Sequence, residues 1–342
     1  MRAARRAARA GVQHGRSDKD FPTAMMTLAL LLAALLIVGG LAGFSAIAAR
    51  RIEKAAPPQG GFLDVDGERL HVLDRGAGPP VVLIHGLSGQ MGNFTHSLVD
   101  RLCGDFRVVA FDRPGSGYST RPPKAPAGLP AQADALVKAF RALKLDHPVI
   151  VGHSLGGAVA LAIALDHPEC ASALALVAPL THPVAKPPHV FRGLAIRSPL
   201  LRGLVAWTLA TPASLLARNV ALRKVFAPET PPADFATAGG GLLAVRPRNV
   251  YASSTEMVAV NDDLEDMTRR YPSLRTPIGI LYGRGDHILD YRTQGEAMKQ
   301  RVPSVDIEVV DGGHMLPVTQ PDLVAAFIRR IAAQVPARAS VA

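Results

Sequence analysis

Residues 149–157 constrain this chain more than any other stretch, because a run of β-branched residues ends in a serine between two glycines. The sequence Val-Ile-Val-Gly-His-Ser-Leu-Gly-Gly leads into an alanine-rich helical pattern. A strand that turns so tightly into a helix needs small residues at Gly152 and Gly156, and it exposes the serine hydroxyl at the helix N-terminus. The stretch therefore predicts that Ser154 is a nucleophile, although G-x-S-x-G alone is short enough to arise by chance.

Strand-like and helix-like segments alternate on both sides of this stretch. Strands are predicted at 81–85, 107–112, 149–152, 173–177, 278–282 and 305–310, after a hairpin around Asp66-Gly67. Helices are predicted at 95–102, 130–145, 155–165, 293–301 and 322–333. This alternation predicts an α/β fold, with a mostly parallel sheet and helices on both faces, built from residues 62–180 and 276–335.

One long interval, residues 181–275, interrupts the alternation. It contains apolar helical stretches dotted with arginine, so we expect a helical cap over the carboxyl edge of the sheet, where ligands bind in open α/β folds. Residues 181–250 carry nine Lys and Arg against two acidic residues. Either these cations are simply solvated, or the cap lies on anionic lipid. In the second case, the residues expected to face the acyl chains of the lipid are Leu194, Leu200, Leu201, Leu204, Val205 and Trp207.

An uncharged apolar run precedes the globular part and exceeds the roughly 20 residues that span a bilayer. We therefore expect a basic N-terminal segment at 1–22, a transmembrane anchor at 23–49 and a linker at 50–61. A cleaved signal peptide is the alternative, because Ala46-Ile47-Ala48 is similar to a cleavage site, but the run is longer than a usual signal core.

The cations that flank the run predict its orientation. Six precede it and three follow it closely, which predicts a single-pass protein of the cell membrane with its catalytic domain on the non-cytoplasmic side. The six are Arg2, Arg5, Arg6, Arg9, Arg16 and Lys19. Translation from Met25 or Met26 would remove these six and reverse the prediction.

Two loops at strand ends supply the partners that a nucleophilic serine needs. Asp286 follows the strand at 278–282, and His314 follows the strand at 305–310. Because the carboxyl ends of parallel strands share one edge, the two side chains are expected beside Ser154 as a base and its orienting acid. Asp290 is the main rival for the acid, and Asp262 or Asp263 would serve only if the cap folded differently.

Backbone amides that could stabilise an oxyanion lie at the same edge. Leu155 follows the predicted nucleophile directly, and Leu87 follows the first parallel strand. We expect the two N–H groups to form the oxyanion hole, in which one donor typically contributes about 3 kcal/mol of transition-state stabilisation. His85 and His153 adjoin these positions but are expected to make structural hydrogen bonds.

Five motifs in one order resemble the α/β-hydrolase superfamily, in its branch of capped serine esterases and lipases. They are His85-Gly-Leu87, Asp112-Arg-Pro-Gly-Ser-Gly-Tyr-Ser119, Gly152-His-Ser-Leu-Gly156, Gly283-Arg-Gly-Asp286 and Gly313-His314. The resemblance covers about residues 62–334 and implies that Ser154, Asp286 and His314 are catalytic. The serine separates the chain from haloalkane dehalogenases and epoxide hydrolases, which carry aspartate there. An anchor joined to this fold is also similar to membrane-attached monoacylglycerol lipases.

The expected function is hydrolysis of carboxylic esters of apolar or lipid-like acyl substrates through an acyl-enzyme. A C–C bond or lactone hydrolase would use the same residues, and a non-catalytic scaffold or ligand-binding protein is a further alternative. The serine mechanism requires no cofactor and no metal. The formal charge of +10 comes with only 5% aromatic residues and no basic stripe, so no nucleic-acid partner is expected.

Overall fold

The computed structural model describes residues 20–122 and 124–335. The cations predicted to orient the anchor, up to Lys19, lie outside these residues. Eight strands form one sheet in the order β1-β2-β4-β3-β5-β6-β7-β8, parallel from β4 to β8. They are β1 Gly61–Val65, β2 Glu68–Arg75, β3 Pro80–Ile84, β4 Arg107–Phe111, β5 Val149–His153, β6 Ala173–Val177, β7 Ile278–Gly283 and β8 Asp306–Val310. The predicted mostly parallel α/β sheet is confirmed.

The first two strands form the expected hairpin. Val65 pairs with Glu68, so only two residues make the turn between β1 and β2. Asp66 and Gly67 both have positive φ, 48° and 82°, as the tight turns favoured by the twist of a hairpin require. Strand β2 then pairs antiparallel with β4 and joins the hairpin to the parallel part.

Helices cover both faces of the sheet, because the buried strands present apolar side chains in both directions. Val82 and Ile84 pack in the core with helices α4 (Leu129–Ala142) and α5 (Leu155–Asp166). Val81 and Leu83 pack with α3 (Leu98–Leu102) and α11 (Pro321–Ala333) on the other side. The helices of the core are α2 Gly92–Thr95, α3 Leu98–Leu102, α4 Leu129–Ala142, α5 Leu155–Asp166, α9 Ala297–Arg301, α10 Leu316–Thr319 and α11 Pro321–Ala333. The single helix predicted at 95–102 is two helices, since Ser97 leaves the helical region with φ −157°.

The N-terminal helix α1 runs from Asp20 to Ala55 and could span a membrane by its length and composition. It continues six residues beyond the predicted anchor at 23–49, so the first half of the predicted linker at 50–61 is helical. The added residues Arg-Arg-Ile-Glu-Lys-Ala are mostly good helix formers, and the helix stops shortly before Pro57.

Residues 181–275 contain helices joined by irregular segments, and no strand. Their long helices are α6 Pro199–Val205, α7 Thr211–Phe226 and α8 Pro247–Arg270, with short 3-10 turns at His189–Leu194, Gly241–Val245 and Tyr271–Ser273. A π-helical turn, Ala206–Ala210, joins α6 to α7. Pro212 accounts for this turn, because it has no N–H to donate to the carbonyl of Thr208 four residues earlier.

Candidate active site

Ser154 lies on the turn between β5 and α5. Its backbone has φ 56° and ψ −121°, a conformation that a residue with a side chain adopts only under constraint. The amide of Ser154 donates to the Val177 carbonyl at 3.1 Å, and its carbonyl accepts from the Gly157 and Leu180 amides at 2.9 and 3.0 Å. The turn is thus fixed by the neighbouring strand β6 as well as by its own helix.

Two glycines allow the turn to be this tight. A Cβ on Gly152 would lie 2.6 Å from the Gly156 carbonyl oxygen, and a Cβ on Gly156 would overlap the Ile84 carbonyl oxygen. The obstacles are backbone atoms, so no side-chain rotation would relieve either contact. A side chain at either glycine of the G-x-S-x-G pattern would therefore clash with backbone atoms, which explains why both positions are glycine.

His314 and Asp286 meet on the loops that follow β8 and β7. The His314 Nδ1 atom lies 2.7 Å from Oδ2 of Asp286, and both side chains are almost fully buried. The other carboxylate oxygen, Oδ1, accepts from the amides of Ile288 at 2.7 Å and Leu289 at 2.9 Å. The backbone fixes one oxygen while the other orients the imidazole, which favours the proton on Nδ1 and leaves Nε2 as an acceptor.

The rival acids lie elsewhere. Asp290 is half-exposed, and its Oδ1 accepts from the amide of Arg292 at 2.8 Å. Asp263 accepts from the amide of Leu129 at 2.7 Å, and Asp262 is exposed. Of these four acidic residues, only Asp286 contacts the imidazole of His314.

Ser154 and His314 line one cavity beneath the cap. Its volume is about 480 Å³, within the range of small-molecule sites. The cap contributes mainly apolar and small side chains, among them Phe191, Leu194, Val205, Leu209, Ala213 and Leu242. A second cavity of about 70 Å³ also reaches Ser154, from the side of Ile288 and Leu289. Ser154 therefore lines both of these mainly apolar cavities.

Leu87 and Leu155 lie beside the serine, where an oxyanion would form. Both residues line the smaller cavity together with Ser154. Leu155 is the first residue of α5, so its N–H has no acceptor within the helix. A Cβ on Gly86 would lie only 2.9 Å from the Ser154 Cβ, so this glycine allows the turn before Leu87 to approach the serine.

A buried arginine holds the turn that carries Leu87. Arg113 Nε donates to the His85 carbonyl at 2.9 Å, and its Nη2 donates to the Gly86 carbonyl at 3.0 Å. The same guanidinium pairs with Glu256 of the cap helix α8 at 3.0 Å. His85 accepts from the Arg113 amide through Nε2, and burial, together with the charge of Arg113, lowers the pKa of His85 to about 3. A neutral imidazole is what this accepting role requires.

Two contacts to the His314 loop were not predicted as functional. His153 Nε2 donates to the His314 carbonyl at 2.9 Å, and burial, with the neighbouring imidazole of His314, lowers the pKa of His153 to about 3. Glu229 of the cap accepts from the Gly313 amide at 3.0 Å. The structural hydrogen bond that the sequence analysis expects of His153 is thus present. No local pattern indicates Glu229, since its partner lies 84 residues away.

No group of three or more His, Cys, Asp or Glu side chains in the described part of the chain could hold a metal ion. Cys103 and Cys170 are both free. The polar groups at the sheet edge include the Ser154 hydroxyl, the His314 imidazole and the Asp286 carboxylate.

A mostly parallel eight-stranded sheet with such groups at its edge and a helical cap above them defines the class of α/β hydrolases. A family model described as the alpha/beta hydrolase fold matches residues 79–321. The chain belongs to this family and is a hydrolase by fold.

Relatives and solved structures of the same family extend over most of the chain. A protein of Caulobacter sp. (strain K31) named as the carbamate hydrolase RutD is 30% identical over 250 residues, which cover 71% of this chain and 86% of that protein. The structure of a membrane phospholipase A described as a bacterial virulence factor has a TM-score of 0.64 at 23% identity and covers 93% of this chain and 99% of its own. A thermophilic esterase from Thermogutta terrifontis has a TM-score of 0.64 at 24% identity, covering 80% and 97%. At these identities the two structures support the fold.

Proposed function

We propose that this protein is a serine hydrolase that cleaves carboxylic esters of apolar, lipid-like acyl substrates. In this proposal Ser154 is the nucleophile, His314 is the general base and acid, and Asp286 orients His314. The amides of Leu87 and Leu155 stabilise the oxyanion.

The reaction follows from these roles. Nε2 of His314 takes the hydroxyl proton as Ser154 Oγ attacks the ester carbonyl, and Asp286 stabilises the imidazolium. The alkoxide of the tetrahedral intermediate lies against the two leucine amides. His314 then protonates the leaving alcohol. Water, activated by the same imidazole, releases the acid from the acyl-enzyme.

The observation that carries this proposal is the 2.7 Å contact of His314 Nδ1 with Asp286, on a loop whose imidazole shares an apolar cavity with Ser154. Because Asp286 is held through Oδ1 by backbone amides, its Oδ2 can orient the His314 imidazole from the Nδ1 side and leave Nε2 free to accept a proton. The apolar lining supports an acyl chain rather than a polar or charged group as the substrate.

We further propose that α1 is retained as a single-pass anchor, with the cap at 181–275 and the core on the non-cytoplasmic side. The proposal is supported by the exposure of the apolar residues of α1 from 23 to 40 and by the excess of cations before the span. A Cys substituted at the exposed Ser304 should react with an impermeant maleimide added to intact cells. Reaction only after lysis would contradict this topology.

Carbamate cleavage is the second candidate, because the relative at 30% identity is named for that reaction. The same serine chemistry would form a carbamoyl-enzyme. The apolar cavity of about 480 Å³ favours the ester, since a small polar carbamate would leave most of it unfilled. A C–C bond or lactone substrate remains the alternative that the same residues could serve.

A panel of p-nitrophenyl esters graded by acyl length, offered to the full chain in detergent micelles, tests the proposal. We expect turnover that rises from acetyl to medium-chain esters and is abolished by Ser154→Ala. Ser304→Ala is the matched control, because Ser304 is exposed on a distant loop. Hydrolysis of p-nitrophenyl carbamates but no esters would favour the second candidate, and equal activity of Ser154→Ala would refute the serine mechanism.

A further inference from the structure

The outward side of the cap helix Pro199–Phe226 exposes apolar side chains to an unusual extent. Leu200 is 87% exposed and Leu216 is 89% exposed. The exposed large apolar residues of this helix that do not line the cavity of Ser154, called here the outer cap face, are Leu200, Leu201, Leu204, Trp207, Leu216 and Val220. Exposed apolar patches of this extent mark interaction sites in soluble and membrane-associated proteins.

The substrate cavity does not account for the outer cap face. The inward side of the same helix lines the cavity at intervals of four residues, through Val205, Leu209, Ala213, Ala217 and Ala221. Leu200 and Leu216 do not line it. The helix is therefore apolar on two sides, one towards the cavity and one outwards, so it separates the cavity from whatever covers the outer cap face.

The outer cap face is fixed relative to α1. Ser45 of α1 is fully buried, and its hydroxyl donates to the carbonyl of Thr208 at 3.5 Å, the carbonyl that Pro212 leaves without its usual helical donor. Further along α1, Glu53 pairs with Arg246 of the cap at 2.7 Å. Ile52 and Ala56 pack in one cluster with Leu243 of the cap. The cap and the end of α1 thus form one packed unit.

The contact at Ser45 sets the depth of the outer cap face in a bilayer. Ser45 lies within the uncharged run of α1, five residues before its first following cation, Arg50. At a rise of about 1.5 Å per residue, that is about 7 Å along the helix. If α1 spans the membrane, the turn Ala206–Ala210 lies at the boundary between acyl chains and headgroups, and Trp207 lies on that turn.

The charges on α7 fit the surface of an anionic leaflet. Arg223 and Lys224 form no ion pair with any residue within 20–122 and 124–335. They follow the apolar residues of the same helix at its C-terminal end. A helix with apolar residues at one depth and unpaired cations beside them is typical of binding to anionic lipid headgroups.

We propose that the outer cap face docks on the anionic leaflet in which α1 is anchored, so that an acyl ester enters the cavity from the bilayer past this helix. The inference rests on the anchor proposed above and names the lipid bilayer as the source of the substrate. Docking itself does not depend on ester hydrolysis.

Trp207 provides the test, because it is the single tryptophan of the chain. The full chain is reconstituted into vesicles of phosphatidylcholine and phosphatidylglycerol whose acyl chains carry bromine close to the headgroup. We expect a loss of tryptophan emission relative to unbrominated vesicles, and a smaller loss with bromine near the chain ends. Unchanged emission, in protein that floats with the vesicles, would overturn docking while leaving the anchor in place. Protein that does not float would overturn both.

Matched variants separate docking from catalysis. Ser154→Ala should lose as much emission as the wild type, so the result is independent of the proposed hydrolase activity. Leu200→Glu combined with Leu216→Glu should recover the emission, whereas Phe62→Glu, an exposed apolar position on β1, should not. Equal quenching in all three variants would contradict the outer cap face as the contact.

A comparison of neutral with anionic vesicles tests the preference for an anionic leaflet. Vesicles of phosphatidylcholine alone, or Arg223→Gln combined with Lys224→Gln, should reduce the loss of emission. No difference between neutral and anionic vesicles would overturn the preference for an anionic leaflet.

Discussion

Replacing Asp286 by Asn tests the orientation of the imidazole without changing the size of the side chain. In the structure Oδ1 of Asp286 accepts from two backbone amides, those of Ile288 and Leu289. The single oxygen of an asparagine amide is therefore drawn to that side. Its NH₂ group then takes the place of Oδ2, which lies 2.7 Å from His314 Nδ1, and donates where an acceptor is needed.

The expected loss of rate follows from this replacement of an acceptor by a donor opposite His314 Nδ1. With a donor facing Nδ1, the neutral imidazole of His314 moves its proton to Nε2 and can no longer accept the Ser154 proton. The same wrong tautomer lowers kcat by about 10⁴ in the well-known serine-protease case, which corresponds to about 5.5 kcal/mol of barrier. We expect a loss of that order in Asp286→Asn, with little change in KM.

The assay is steady-state hydrolysis of a medium-chain p-nitrophenyl ester, with thermal unfolding to show that each variant is folded. Asp290→Asn is the matched control, since Asp290 is half-exposed on the same loop and does not contact the imidazole. We expect it to keep full activity. A folded Asp286→Asn within tenfold of the wild type, or a larger loss in Asp290→Asn, would refute the assigned role.

Three further predictions concern the turns around the site. Because the pKa values of His85 and His153 are lowered to about 3, the unfolded chain binds protons that the folded chain does not. The free energy of unfolding, measured by urea titration, should therefore fall by about 4 kcal/mol from about pH 7 to about pH 5. A free energy of unfolding that does not change over this range would contradict the prediction. Gly156→Ala should destabilise the fold by about 3 kcal/mol, as calorimetry would show, since its Cβ overlaps the Ile84 carbonyl. Arg113→Lys should lower kcat about tenfold at unchanged KM, because an ammonium cannot hold both the His85 and the Gly86 carbonyl of the turn that carries Leu87. A change in KM alone would contradict this.

Local sequence patterns predicted the sheet well, because each parallel strand is a short, mostly apolar run. The strand predicted at 173–177 is observed at the same bounds, and the Asp66-Gly67 hairpin is observed with the expected turn. Helix ends were less predictable. The helix α1 continues past the uncharged run to Ala55, since charge alone does not end a helix whose residues favour it.

The candidate site shows the same division between local and long-range information. The positions of Ser154, Asp286 and His314 follow from strand ends, and the structure places the last two in contact. Contacts between distant segments leave no such pattern. Glu229 reaches Gly313, and Glu53 reaches Arg246 across 193 residues. Their pairing depends on how the cap and α1 pack, which single-sequence patterns do not encode.

Covalent labelling tests whether Ser154 is the reactive nucleophile. The full chain is treated with a fluorophosphonate, digested, and mapped by mass spectrometry. We expect one phosphonyl adduct, on the peptide that contains Gly152-His-Ser-Leu-Gly156, and none in Ser154→Ala. An unlabelled wild type, or an adduct that persists on another residue in Ser154→Ala, would contradict it.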